Sequence, residues 1–140
     1  MGSTKLHSAV ALSISISAVF FCGCGSDQTC QASSVQPAVY VIDAETLESL
    51  CDAEVEIKEG DYDETISYAG GEDCTGLYAL PARPGTYTTF VSSDSGDYAI
   101  TATQITIRED SCGSIGPENA GAQNGLPGQP GAVTVALRKL

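Results

Sequence analysis

Histidine is almost missing from this chain. The only one is His7, inside an N-terminal leader. A Ser-His or Cys-His nucleophile and a His-based zinc site each need imidazole, so the rest of the chain supports none of them. Tryptophan is absent, and bases are scarce: six Lys and Arg stand against 18 Asp and Glu, a formal net charge of −12. All the acids lie beyond the leader, whereas Lys5 lies within it. Such a surface repels nucleic acid and anionic head groups, which excludes nucleic-acid binding. Helix-period apolar patterns are lacking after residue 30, and no later segment is long or apolar enough to span a bilayer.

What is present begins with the leader. Lys5 supplies a positive start, with His7 beside it, and Ala9 to Phe21 is uncharged and largely apolar. At 13 residues this run is short of the roughly 20 that a transmembrane helix needs, and it reads as an export signal. It ends Val19-Phe20-Phe21-Cys22-Gly23-Cys24. Gly23-Cys24 resembles the processing site of a bacterial lipoprotein signal, in which a small residue precedes a cysteine that is lipidated and becomes the mature N-terminus. Phe21 stands where that family has Leu, and Cys22 where it has Ser, Ala or Thr. The resemblance implies lipidation of Cys24, with several acyl chains and stable anchoring. Gly25, rather than Asp, follows the cysteine, and by resemblance to known sorting rules this points to the outer membrane. The alternative is an ordinary signal cut near Gly23 to Ser26, which would leave a soluble secreted protein. The favoured division is a lipoprotein signal over 1–23, a polar tether over 24–37 and a single domain over 38–140.

That domain reads as β-structure. Strand-like segments run from Ala38 to Asp43, Ala53 to Lys58, Thr65 to Ala69, Gly76 to Leu80, Thr86 to Ser92, Tyr98 to Glu109 and Ala132 to Arg138. Alternation places Ala53, Val55 and Ile57 inward, and likewise Tyr87, Thr89 and Val91, Ile105 and Ile107, and Val133, Val135 and Leu137. Gly60-Asp61-Tyr62-Asp63, Arg83-Pro84-Gly85 and Asp94-Ser95-Gly96-Asp97 read as turns. Gly113 to Gly131, with six Gly and three Pro, reads as one long loop and a candidate variable surface, or as a solvated insertion. Seven short strands with no helix predict an all-β, antiparallel β-sandwich.

Several stretches are similar to the carboxypeptidase regulatory-like domain, a transthyretin-like seven-stranded Greek-key sandwich. They are Val41-Ile42-Asp43-Ala44-Glu45-Thr46, Leu50-Cys51-Asp52-Ala53-Glu54-Val55, Arg83-Pro84-Gly85-Thr86-Tyr87-Thr88 and the Asp97-Tyr98 pair. The resemblance spans about residues 38–138, and its specificity lies in the spacing. Leu50-Cys51-Asp52-Ala53, Asp73-Cys74-Thr75 and Asp110-Ser111-Cys112 resemble the cysteine-bearing form carried by some bacterial envelope lipoproteins. Two departures stand out. The family usually has Gly near Leu47, so a differently built turn is expected there. It usually has His after Cys112, where this chain has Gly113.

Cys30, Cys51, Cys74 and Cys112 are spaced by 21, 23 and 38 residues with no C-x₂-C pair, and export favours disulfides over zinc. Four cysteines allow three connectivities. If the strands alternate up and down, Cys51 and Cys74 fall at one end and Cys30 and Cys112 at the other. That predicts the pairs Cys51–Cys74 and Cys30–Cys112, the second of which pins the tether to the domain base.

No catalytic constellation, metal site or cofactor is expected. Asp61-Tyr62-Asp63-Glu64 and Glu72-Asp73 are loop acids of a type that suits Ca²⁺, but they lie at opposite ends of the third strand and do not meet the EF-hand pattern. The expected function is a non-catalytic, lipid-anchored envelope module that displays one rigid acidic sandwich to a protein or carbohydrate partner. Tyr62, Tyr68 and Tyr78 are either platforms for sugars or half-buried sheet residues. Two alternatives are a small secreted hydrolase working through carboxylates such as Asp63 and Glu64, and a subunit of a larger assembly joined through edge strands.

Overall fold

A computed structural model describes Cys30, residues 35–122 and residues 125–140. Among these residues there are eight strands and no helix: β1 Ala38–Asp43, β2 Ala53–Glu59, β3 Tyr62–Ser67, β4 Leu77–Ala79, β5 Gly85–Ser93, β6 Thr101–Glu109, β7 Ile115–Pro117 and β8 Ala132–Leu137. They form a three-stranded sheet, β4-β1-β8, and a five-stranded sheet, β3-β2-β5-β6-β7.

The alternation read in the sequence sets how the sheets pack. In β2 Ala53, Val55 and Ile57 are buried in alternation, and in β5 so are Tyr87, Thr89, Val91 and Ser93. Val55 and Ile57 of β2, Tyr87 and Val91 of β5, and Ile105 and Ile107 of β6 share one core with Val39 and Val41 of β1, Tyr78 of β4, and Val133, Val135 and Leu137 of β8. Both sheets therefore contribute one face to the same core.

Three expectations need correction. The hairpin from β2 to β3 turns in two residues, Gly60 and Asp61, because Glu59 pairs with Tyr62. Gly60 adopts a φ of 58° at the first central position, which suits a two-residue hairpin, so Tyr62 and Asp63 belong to the strand rather than to the turn. The domain is also not wholly antiparallel, since β1 and β8 pair in parallel from Ala38–Ala132 to Asp43–Leu137. Both strands run the same way, and placing the first and last strands side by side makes that pair parallel. Finally, the strands number eight rather than seven. Ile115–Pro117 leaves the expected long loop and pairs with Ile107–Glu109 at the edge of the larger sheet.

The rest of that loop, where described, is a cover. Every residue of β1 is buried, because Val39 and Val41 face the shared core while Ala38, Tyr40 and Ile42 face outward. Leu126 packs on this outer face with Leu77 and Ala136. The Thr134 hydroxyl donates to the Pro127 carbonyl at 2.9 Å, and the Gly121 N–H donates to the Ala132 carbonyl at 2.9 Å. The described part of 113–131 thus shields apolar surface, which a solvated insertion or free variable loop would not do.

Candidate functional site

The strand directions give the molecule two poles. β1 starts at the basal pole and ends at the distal pole. The chain arrives at the base through Val35 and Gln36. Cys30 is bonded there to Cys112, with Cα atoms 5.0 Å apart. The Asp110 carboxylate accepts the N–H groups of Cys112 and Ser114 at 2.8 and 2.9 Å and shapes the turn that presents this cysteine. Beside it lies a groove of about 510 Å³, bordered by Val35, Ile115, Pro117, Ala120 and Pro130. Arg108 at its rim is paired with Glu118 at 2.6 Å, so this charge is already engaged.

The distal pole is organised by Asp43, which is 3 % exposed. Its Oδ1 accepts the N–H groups of Glu45 and Thr46 at 2.7 and 3.0 Å. Its Oδ2 accepts the Tyr98 hydroxyl at 2.8 Å and lies 3.6 Å from Lys139 Nζ. The backbone joins in: Leu47 N–H donates to the Asp43 carbonyl and Asp43 N–H to the Glu48 carbonyl, each at 2.9 Å. Donation from Thr46 N–H, then from the Tyr98 hydroxyl and Glu45 N–H, lowers the Asp43 carboxyl to about 2. Donating to that carboxylate, together with burial, pushes the Tyr98 phenol up to about 12.

Three further features complete this pole. Cys51 is bonded to Cys74, with Cα atoms 5.7 Å apart, which ties the start of β2 to the segment before β4. Gly76 follows with a φ of 65°, and a Cβ there would lie 2.7 Å from the Val41 carbonyl oxygen, so only glycine fits. The Ser93 hydroxyl donates to Asp52 Oδ2 at 2.9 Å, closing the end of β5 onto the segment before β2.

The sequence-level candidates separate. Cys24, and with it the lipidation reading, lies outside the described residues. Asp63 and Glu64 do not converge: Asp63 pairs across the ladder with Lys58 and Glu64 with Ile57, and successive strand residues point to opposite faces. Asp63 lies 3.6 Å from Lys58 Nζ, while Glu64 accepts the Tyr62 hydroxyl. Among the described residues no group of three or more His, Cys, Asp or Glu is placed to hold a metal ion.

The tyrosines are structural in their contacts. Tyr78 is 1 % exposed, which removes it as a sugar platform. Its hydroxyl donates to the Leu50 carbonyl at 2.9 Å and accepts Ala53 N–H at 3.0 Å, and burial pushes it up to about 12. Tyr68 packs edge-on against Tyr78, with centroids 5.8 Å apart, and accepts Thr75 N–H. The Tyr62 ring lies 4.6 Å beneath the Arg83 guanidinium, whose Nε donates to the Tyr87 hydroxyl at 3.1 Å.

Asp43 as the distal hub was not singled out in the sequence. The available signal was its place at the strand end, followed by Ala44-Glu45-Thr46, a setting in which an aspartate caps its own turn. Comparison with family models, with curated proteins and with solved structures returned no match.

Proposed function

We propose that this protein is a non-catalytic, lipid-anchored module of the bacterial cell envelope, in the outer membrane, presenting one acidic, disulfide-stapled β-sandwich to a protein or carbohydrate partner. On this reading residues 1–23 are the signal, Cys24 carries the lipid, and 24–37 tether a domain of transthyretin-like, carboxypeptidase regulatory-like kind over 38–140. On the same reading β7 is an edge strand added to the seven expected.

The observation that carries the proposal is the polarity of the two disulfides. Cys30–Cys112 closes the pole where the tether arrives, and Cys51–Cys74 closes the opposite pole. Cys30 follows Cys24 by only six positions, so an extended chain spans at most about 20 Å between lipid and staple. A lipid at Cys24 would therefore hold the base near the membrane and turn the Asp43 pole away from it. Two disulfides also suit an oxidising compartment. A carboxylate-only hydrolase has less support, because Asp63 and Glu64 face opposite sides of β3.

Cell fractionation tests the anchor. The wild-type chain is expected in the membrane fraction and a Cys24→Ser chain in the soluble one. Equal solubility of the two would refute anchoring.

A further inference from the structure

The distal pole contains an expensive residue. Leu47 has a φ of 61°, a left-handed conformation that an L-residue with a Cβ adopts at a cost. The hydrogen bonds around Asp43 explain how the turn is held, but not why it carries leucine. The side chain is 44 % exposed, so its packing offsets little of that cost. Ile100 is 70 % exposed and belongs to the same pole. Tyr98, two positions before it, donates to Asp43, and Ala99 N–H donates to the Arg138 carbonyl. One buried carboxylate thus ties together the two segments that bear these apolar side chains. Exposed acids lie along the same loops: Glu45 and Glu48 beside Leu47, and Asp94 and Asp97 before Ile100. Of the two nearby bases, Lys139 is paired with Asp43, and exposed Arg138 stands against these four acids.

We propose that Leu47 and Ile100 are the apolar anchors of a docking tip, and that its occupant is a protein whose surface offers an apolar pocket bordered by basic side chains. The inference rests on the display reading and names the partner's chemistry. Charge complementarity selects that occupant. A second copy would bring like-charged rims together, and an anionic membrane would be repelled. The strain at Leu47 follows, since a glycine would relax the turn but remove an anchor.

The test titrates the full chain, held in phosphatidylcholine nanodiscs, with a fluorescent peptide of alternating Leu and Lys, using empty nanodiscs as background. Leu47→Asn tolerates the left-handed backbone and Ile100→Ser alters only an exposed position, so the double variant keeps the fold, which a thermal melt verifies. Binding is expected to weaken by about tenfold or more in the double variant. Gln104→Ala, on the outer face of the five-stranded sheet, is expected to leave it unchanged. Unchanged binding in the double variant, or equal binding of a Ser-Lys peptide, would overturn the proposal. So would attachment of a Cys24→Ser chain to phosphatidylcholine vesicles that depends on Leu47 and Ile100, because the occupant would then be a membrane. A chain that proves unlipidated is titrated in plain buffer, so failure of the anchor and failure of the tip are read separately.

Discussion

Tyr98 donates its hydroxyl proton to Asp43 Oδ2 at 2.8 Å, across 55 positions of sequence. The contact joins the end of β1, in one sheet, to the segment that leads into β6, in the other. It also divides the titration of the pair: the carboxylate is favoured in its charged form and the phenol in its neutral form.

The first prediction concerns acid. Asp43 has a folded-state value of about 2, below its ordinary 3.8. A depressed carboxyl contributes stability that is fully present above the ordinary value and is lost as pH falls from there through the folded value. Thermal melts between pH of about 5 and 2 should show a declining melting temperature over that window. Tyr98→Phe removes one of the donors and so raises the folded value, and its decline should therefore be smaller and end at higher pH. An identical acid profile for Tyr98→Phe and wild type would mean that the pairing carries no weight.

The second concerns the strained turn. Replacing Leu47 by glycine removes the Cβ penalty and adds unfolded-state entropy, and the first effect is the larger. Leu47→Gly should stabilise the chain by about 0.5–1 kcal/mol in chemical denaturation. Destabilisation would show that Leu47 packs in a way its exposure does not suggest.

The third concerns the core. Thr89 is 0 % exposed, and among the described residues its Oγ1 has no hydrogen-bond partner. A buried hydroxyl without a partner costs free energy, and valine has nearly the same shape. Thr89→Val is expected to add about 1 kcal/mol of stability. A loss of stability would point to a partner for the hydroxyl.

The inward side chains of β2, β5, β6 and β8 were legible because period-two alternation records burial directly. Other features were not. β1 shows no alternation, since Leu126 covers the face that would otherwise meet water, and such a run does not say which side is core. β7 is three residues long and contains Gly116 and Pro117, a composition that reads as loop. Its strand character comes from its pairing with β6. The parallel register of β1 and β8 depends on two segments almost a hundred positions apart, which no local pattern encodes. Asp43 was not legible as a site because its partners Tyr98 and Lys139 are remote in sequence.

The fourth concerns the staples. Cys30–Cys112 spans 82 positions and Cys51–Cys74 spans 23. In the chain-entropy account the longer loop contributes more, about 4 kcal/mol against about 3. Replacing each pair by serine and comparing urea midpoints should therefore cost more for Cys30 and Cys112. The reverse order would show that native contacts near Cys51 and Cys74 outweigh loop entropy.

Anchoring and stapling are both read from the mass of the mature N-terminal peptide, recovered from the membrane fraction and mapped without reduction. The expected result is a chain that begins at Cys24 and carries a diacylglyceryl group with a further acyl chain, and separate peptides linking Cys30 to Cys112 and Cys51 to Cys74. A mature chain starting anywhere between Gly23 and Ser26 with no lipid mass would contradict it.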